Sequence, residues 1–493
     1  MEAIKSLLHR KTLLIVSAIL LLGAFVRAAW LWWHGLGHAA GEARNIAVAF
    51  AQTGAIANSF GRGSGLTAQL NPVPEIFAGS VYRIFGIEST ASETILAGCA
   101  IFITMASGYA LFRAFALLDV PLAWRITALV VYALLPMNFD LETTAFRIWE
   151  GGIAVLLAAV LLVRVLVCEN ASTIGWRQWA GLSVIASLIL FFNPAMGLAA
   201  FAMLGILLLR QSPVRRWPPL LATSTLTLVL VLAPWTIRNY EAFGSFIPLR
   251  STAGIDLALA NYAGALDAAD QRKAFVERLD EIHPFQSQQA FNRMLTYGNE
   301  RIYARALGSE AREWIVENPG SFLRLSIRHI TQFYFPPRWF WTIYETSSSG
   351  TGAKQAIFWI ISALGLTGAI SGLLFWRGAW FYVSAFALAP SLTYAVAQPV
   401  LRYHYLVHGI LTFLAVEVVR RCFSSCGRLF GARPNGLRAE EDRQLRRGLS
   451  RLFERLGGGV GGHYPRNAST RSWLPGRRVR RLTSIVKKAH YAS

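Results

Sequence analysis

"KTLLIVSAILLLGAFVRAAWLWW", Lys11 to Trp33, decides the fold. A helix needs about 20 largely apolar residues to cross the hydrocarbon core of a bilayer, and this run supplies them. It is too long for the apolar part of a cleaved signal peptide. It carries Arg27 near its far end and lacks a small-residue cleavage site, so it reads as a retained first span. The same texture recurs outward along the chain. Of 493 residues, 54% are hydrophobic and only 15% are charged. In lipid every backbone polar group has to be satisfied within the protein, so recurrent long apolar runs predict an all-α polytopic membrane protein and exclude a soluble enzyme.

Hydropathy predicts about ten spans, near 12–33, 93–113, 124–139, 149–167, 179–193, 196–210, 219–237, 355–376, 379–397 and 404–420. Short loops rich in Lys and Arg stay in the cytoplasm. With ten spans, Lys5, Arg10, Lys11, Arg113, Arg125, Arg164, Arg177, Arg210, Arg215, Arg216 and Arg377 all fall on one side, together with the C-terminus.

Four regions follow. Residues 1–237 form an N-terminal transmembrane module whose first external loop is 34–92. Residues 238–354 form an extracytoplasmic, mainly helical domain, balanced at 13 Lys and Arg against 12 Asp and Glu. Residues 355–420 hold the last spans. The tail, 421–493, is strongly basic: from Arg420 onward there are 18 Lys and Arg against 4 Asp and Glu. Such a tail suits the anionic lipids of the inner leaflet, or simply fixes topology; no nucleic-acid motif accompanies its charge. Cys99, Cys168, Cys422 and Cys426 suggest neither a disulfide framework nor a zinc site. No phosphate-binding glycine loop, HExxH or GxSxG is present.

The chemistry gathers at the expected outer surface. In "GHAAGEARNIA" (Gly37–Ala47) Glu42 stands just beyond the first span. The residues after it predict an interfacial helix, and "GRGSGLTAQLNPVPEIFAGSVYRIFG" predicts a glycine-rich turn and a second helix starting at Pro72 or Pro74, the loop lying along the bilayer. A carboxylate there suits a proton acceptor. His34, His38 and Glu42 have a His-x3-His-x3-Glu spacing, which on a continuous helix would offer one face to a divalent ion; the intervening glycines argue against that helix. Arg147 and Glu150 have the spacing of a helical ion pair. "FYFPPRWFW" (Phe333–Trp341) reads as an interfacial aromatic belt.

The first-loop segments resemble the corresponding loop of bacterial polyprenyl-phosphate-sugar-dependent glycosyltransferases, the GT-C membrane class that includes protein mannosyltransferases and aminoarabinose transferases. "FRIWEGGIAVLLAAVLL" (Phe146–Leu162), "FFNPAMGL" (Phe191–Leu198), "LAPWTIRNYEAFGSFIPLRSTAGIDLALANYAG" (Leu232–Gly264), "ENPGSFLRLSIRHITQFYFPP" (Glu317–Pro337) and "LRYHYLVHG" (Leu401–Gly409) extend the resemblance, in order, over about residues 12–420. It implies a GT-C-type bundle in a bacterial inner membrane. The active site would lie on the periplasmic face, with a polyprenyl-phosphate sugar such as an undecaprenyl one as donor and a glycan, lipid or protein as acceptor. It implies Glu42 as base or metal contact. Arg27, Arg238 with Asn239, and Arg402 with Tyr403 map to outer span ends, where guanidinium forks suit phosphate oxygens. Asp140, Glu142 and Glu150 form a second acidic group for acceptor or metal. Gln69, Asn71 and Val73 depart from the family's usual tryptophan, proline and aromatic, and "RYHY" departs from its third arginine motif, so sugar and acceptor stay open. A lipid-linked glycan polymerase or ligase is a rival enzyme, and a sugar-lipid transporter without bond cleavage a rival of another class.

Overall fold

The computed structural model describes residues 2–171, 174–266, 268–344 and 351–429. The chain divides into two units, 1–425 and 426–493. Nearly all of the second, and with it most of the basic tail and its expected lipid partners, lies outside the described residues.

The architecture is helical, with one isolated antiparallel bridge, Ala57 to Leu66, among the described residues. Helix α1 (Glu2–His34) leads into two short external helices, α2 (Glu42–Thr53) and α3 (Pro72–Phe85). The bundle continues with α4 (Thr90–Leu117), α5 (Leu122–Leu134), the short α6 (Phe139–Thr143), α7 (Gly151–Glu169), α8 (Trp176–Phe192), α9 (Pro194–Gln211) and α10 (Trp217–Phe243). Next come α11 (Ala253–Ala260), α12 (Gln271–Ile282), α13 (Gln288–Thr296), α14 (Glu300–Glu317), α15 (Pro319–Tyr334) and α16 (Trp339–Tyr344) of the expected outer domain. The chain then returns through α17 (Thr351–Ser371), α18 (Trp380–Leu388), α19 (Pro390–Thr393) and α20 (Leu401–Leu429).

Each of the ten expected spans falls on helix, but fewer qualify as complete crossings. Among the described residues six helical stretches are long and apolar enough: 10–34, 90–117, 151–169, 194–211, 214–243 and 351–376. A seventh arises if α5 and the segment Phe139–Arg147, bent by 77° at their junction, count as one broken span. The others fall short for visible reasons. Helix α8 has 17 residues, the range 379–397 is split between α18 and α19, and α20 carries Arg402, Glu417 and Arg420.

The bundle core is built by α4, α5, α7, α8, α9, α18 and α20, through buried residues such as Leu111, Leu129, Leu162, Trp179, Met203, Phe386 and Phe413. Gly365 lets α17 approach α20: a Cβ there would stand 2.8 Å from the Leu411 carbonyl oxygen, the use small residues have between helices in lipid. By contrast α1 and α10 leave Leu14, Leu21, Phe25, Val229 and Leu230 exposed. Apolar faces of that extent belong against acyl chains.

Outside the bundle, α3 starts at Pro72, where a missing N–H costs nothing, and the Asn71 side chain caps it by accepting from the Val73 amide. Ile255, Ile282, Met294, Tyr303 and Leu307 form a separate small core, and Phe60 of the first loop is part of it. The loop therefore docks into the outer helical domain instead of lying only along the bilayer, as its apolar pattern suggested. Phe333, Tyr334, Phe340 and Trp341 are buried, so "FYFPPRWFW" is packing material and not an exposed aromatic belt.

Candidate active site

Helix α1 stops at His34, and Gly35, Gly37 and Gly41 all adopt positive φ (86°, 54° and 92°) before α2 begins at Glu42. That conformation is easy only for glycine. It unwinds the chain, so the His-x3-His-x3-Glu spacing never becomes one helical face. His34 stacks on Trp30, the His38 ring nitrogen lies 3.4 Å from Glu93, and Glu42 turns to His283. These three do not fit a shared metal ion, and no metal-binding arrangement of three or more His, Cys, Asp or Glu occurs among the described residues.

The unwound segment is held from below. Arg147, fully buried, donates to the carbonyls of Leu36 (2.6 Å) and Gly37 (2.9 Å). Its charge is met by Glu93 at 2.6 Å, which also accepts from the Tyr82 hydroxyl at 2.8 Å. The expected Arg147–Glu150 pair is thus replaced by two longer-range pairs, Arg147–Glu93 and Arg250–Glu150. Both satisfy charges that burial makes expensive to leave alone.

Glu42 lies 3.4 Å from Nε2 of His283, just past the end of α12. Asp256 on α11 faces the charges of Arg250, His283, Arg402 and Glu42. Asp256 is solvent-exposed, with neighbouring protein around its carboxyl. Enclosure raises its carboxyl above the usual range, and Arg250, His283 and Arg402 offset part of that rise. Arg250 keeps partial exposure and pairs with Glu150. Next to them is Glu75 of α3. It is wholly buried, and neither carboxyl oxygen has a hydrogen-bond partner. Burial, then the nearby Glu150 charge, push its pKa well up, against the pull of Arg250, so its surroundings favour the protonated form. Arg402 lies over the ring of Tyr403, 5.2 Å from its centroid, and Tyr403 stacks on Tyr394 at 4.7 Å.

The structure thus brings four expected residues, Glu42, Glu150, Arg402 and Tyr403, into one neighbourhood with Glu75, Arg250, Asp256 and His283, which the sequence reading did not single out. Signals for some of these exist. Glu75 and Asp256 are single acids inside otherwise apolar short helices, "PVPEIF" and "AGIDLALA", where an unpaired carboxylate is costly.

The other expected residues go elsewhere. Arg27 does not line an open site, nor does it reach toward a membrane surface. It is 0% exposed, meets Glu142 at 2.6 Å, donates to the carbonyls of Gly23 and Ala133, and lies over the Phe139 ring. Arg27 and Glu142 are thereby occupied with each other, stapling α1 to α5 and α6. Arg238 donates to the carbonyls of Thr67 (2.7 Å) and Ile56 (2.8 Å), and Asn239 donates to that of Ile247 (2.9 Å). The "PWTIRN" segment thus clamps the first loop. Buried Glu300 completes the clamp by accepting from the Thr67 hydroxyl, the Ala68 amide and the Ser251 hydroxyl at 2.6–2.7 Å, fixing the residue beside Arg250. Asp140 is exposed on α6.

An apolar groove of about 550 Å³ runs between α3, α4 and α7, lined among others by Val73, Pro74, Phe77, Ile95, Phe102 and Trp149. Pro74 and Trp149 adjoin Glu75 and Glu150 in sequence, although neither acid lines the groove, whose one charged lining residue is Arg147.

No protein-family model matches the sequence, and no curated protein matches it. Among solved structures, the chain is similar to the archaeal oligosaccharyltransferase AglB from Archaeoglobus fulgidus, determined in complex with an inhibitory peptide and a dolichol-phosphate. The TM-score is 0.46 and the identity 14%, over 85% of this chain and 52% of that one. This chain therefore spans about half the length of that structure's chain.

Proposed function

We propose that the protein is a membrane glycosyltransferase that moves a sugar from a polyprenyl-phosphate carrier to an acceptor hydroxyl on the extracytoplasmic side. One observation carries this reading: Asp256 is surrounded by the Glu42–His283 pair, Arg250 and Arg402, and an apolar groove runs beside α3 and α7, the helices whose first residues neighbour this cluster. That combination suits a substrate with an isoprenoid tail and a phosphate-linked head. The tail fills the groove along Phe77 and Phe102. Arg250 and Arg402 carry the charge the departing phosphate needs. The acceptor oxygen forms a bond to the anomeric carbon as the carbon–oxygen bond to phosphate breaks, and its electron pair leaves with polyprenyl phosphate. Glu42 takes the hydroxyl proton, and His283 positions the carboxylate.

The test uses detergent-purified full-length protein with radiolabelled polyprenyl-phosphate sugars. Transfer to an acceptor, or slow hydrolysis to free sugar, is expected from the wild-type chain and lost with Glu42→Gln. Movement of the labelled lipid across reconstituted vesicles with no bond cleavage overturns the reading in favour of transport.

A further inference from the structure

A second cleft, of about 560 Å³, opens between the end of α10, α11 and α14. It is lined by Ser245, Phe246, Gly254, Arg301, Arg305 and Arg312 among others. Its floor exists because α11 and α14 nearly touch: a Cβ on Gly254 would stand 1.8 Å from the Ala304 carbonyl oxygen. The three arginines project from one helix at intervals that return to neighbouring faces.

Their charges are not neutralised within the described structure. Elsewhere in the domain arginines meet acids: Arg278 pairs with Glu281 at 2.8 Å and Arg293 with Glu310 at 3.8 Å. Glu300, next to Arg301, is consumed by Thr67, Ala68 and Ser251. Arg301, Arg305 and Arg312 have no carboxylate partner among the described residues, although the region's acids and bases are nearly equal in number. Three like charges around one concave space repel each other, and an anion in it relieves that repulsion. Guanidinium forks match the oxygens of a phosphate.

The position of the cleft points to the source of that phosphate. Helix α10 ends at Phe243, and the surface leading from it to the cleft exposes Ile237, Tyr240 and Phe246, the last at 72%. Exposed apolar and aromatic residues at the end of a membrane-crossing helix mark the headgroup level. We propose that Arg301, Arg305 and Arg312 form a phosphate-binding cleft for the headgroup of a membrane phospholipid. Binding there does not involve Glu42 and stands whether or not the transferase reading holds.

Full-length protein in zwitterionic nanodiscs is titrated with phosphatidic acid labelled on its acyl chain, with glycerol phosphate as soluble competitor. Saturable binding is expected, weakened about tenfold or more in Arg301→Gln/Arg305→Gln/Arg312→Gln and unchanged in Glu42→Gln. Glycerol phosphate is expected to compete only at far higher concentration. Because Arg305 and Arg312 are exposed, the double variant Arg305→Gln/Arg312→Gln provides a check on folding, monitored by its melting temperature, and is expected to bind at an intermediate level. Equal binding by wild type and both variants overturns the proposal. Equal competition by glycerol phosphate overturns the lipid source and leaves soluble phosphate esters as the ligand class.

Discussion

Glu42 and Glu75 both stand in the first turn of short helices of the first loop, and their surroundings set them to different tasks. Glu42 meets an imidazole and keeps contact with solvent. Glu75 has no partner and no solvent, so its carboxyl is pushed well above the usual range. A carboxyl whose folded pKa is raised contributes stability below its unfolded pKa and loses that contribution as pH rises through the folded value. The melting temperature of the wild-type protein is therefore expected to fall more steeply from mildly acidic to mildly alkaline pH than that of Glu75→Gln; identical slopes contradict the assignment. His283→Ala removes a positioning contact and not the base itself. It is expected to lower transfer about tenfold, less than loss of Glu42, with KM nearly unchanged. Of this site, Glu42, Glu150, Arg402 and Tyr403 were legible through their place in family-like segments at span ends. His283 was not, because nothing near it in sequence marks it; it reaches Glu42 only through the packing of α12 against the first loop. Arg27 and Arg238 were legible as special arginines. Their partners, Glu142 in one case and the Thr67 and Ile56 carbonyls in the other, are tertiary contacts that a linear pattern does not show.

At the scale of elements, the site depends on two joints. The first is the staple between α1 and α6. Removing the Arg27 side chain leaves Glu142 buried without its cation, and breaking such a pair costs about 3–5 kcal/mol. Arg27→Gln is expected to melt well below wild type, and an unchanged melting temperature contradicts the staple. The second is the contact of α11 with α14, closed tightly enough at Gly254 that any side chain meets backbone. Gly254→Val is expected to cost about 1–3 kcal/mol or more. Because α11 also bears Asp256, transfer should fall together with stability in that variant. The helices themselves were legible, since apolar runs and caps such as Asn71 and Asp270 are local signals. Which short apolar runs are complete crossings was not, because α8, α18 and α20 bury their surfaces against other helices and need not match a bilayer alone.

Across the whole molecule, the proposed site needs the first loop and the domain of α11–α16 on one side of the membrane and the Arg210–Arg216 turn on the other. Single cysteines placed at exposed Asp280 and at exposed Arg215 are expected to react with an impermeant maleimide from opposite sides of intact cells or oriented vesicles. Labelling of both from one side contradicts the arrangement. Single-turnover transfer from a radiolabelled polyprenyl-phosphate sugar decides whether Glu42 and its charged neighbours act on a phosphate-linked sugar. Wild-type protein should release polyprenyl phosphate together with the glycosylated acceptor or free sugar, and Glu42→Gln, folded and still binding the donor, should be slower by about 10²–10⁴-fold. Turnover by Glu42→Gln at the wild-type rate would contradict the account.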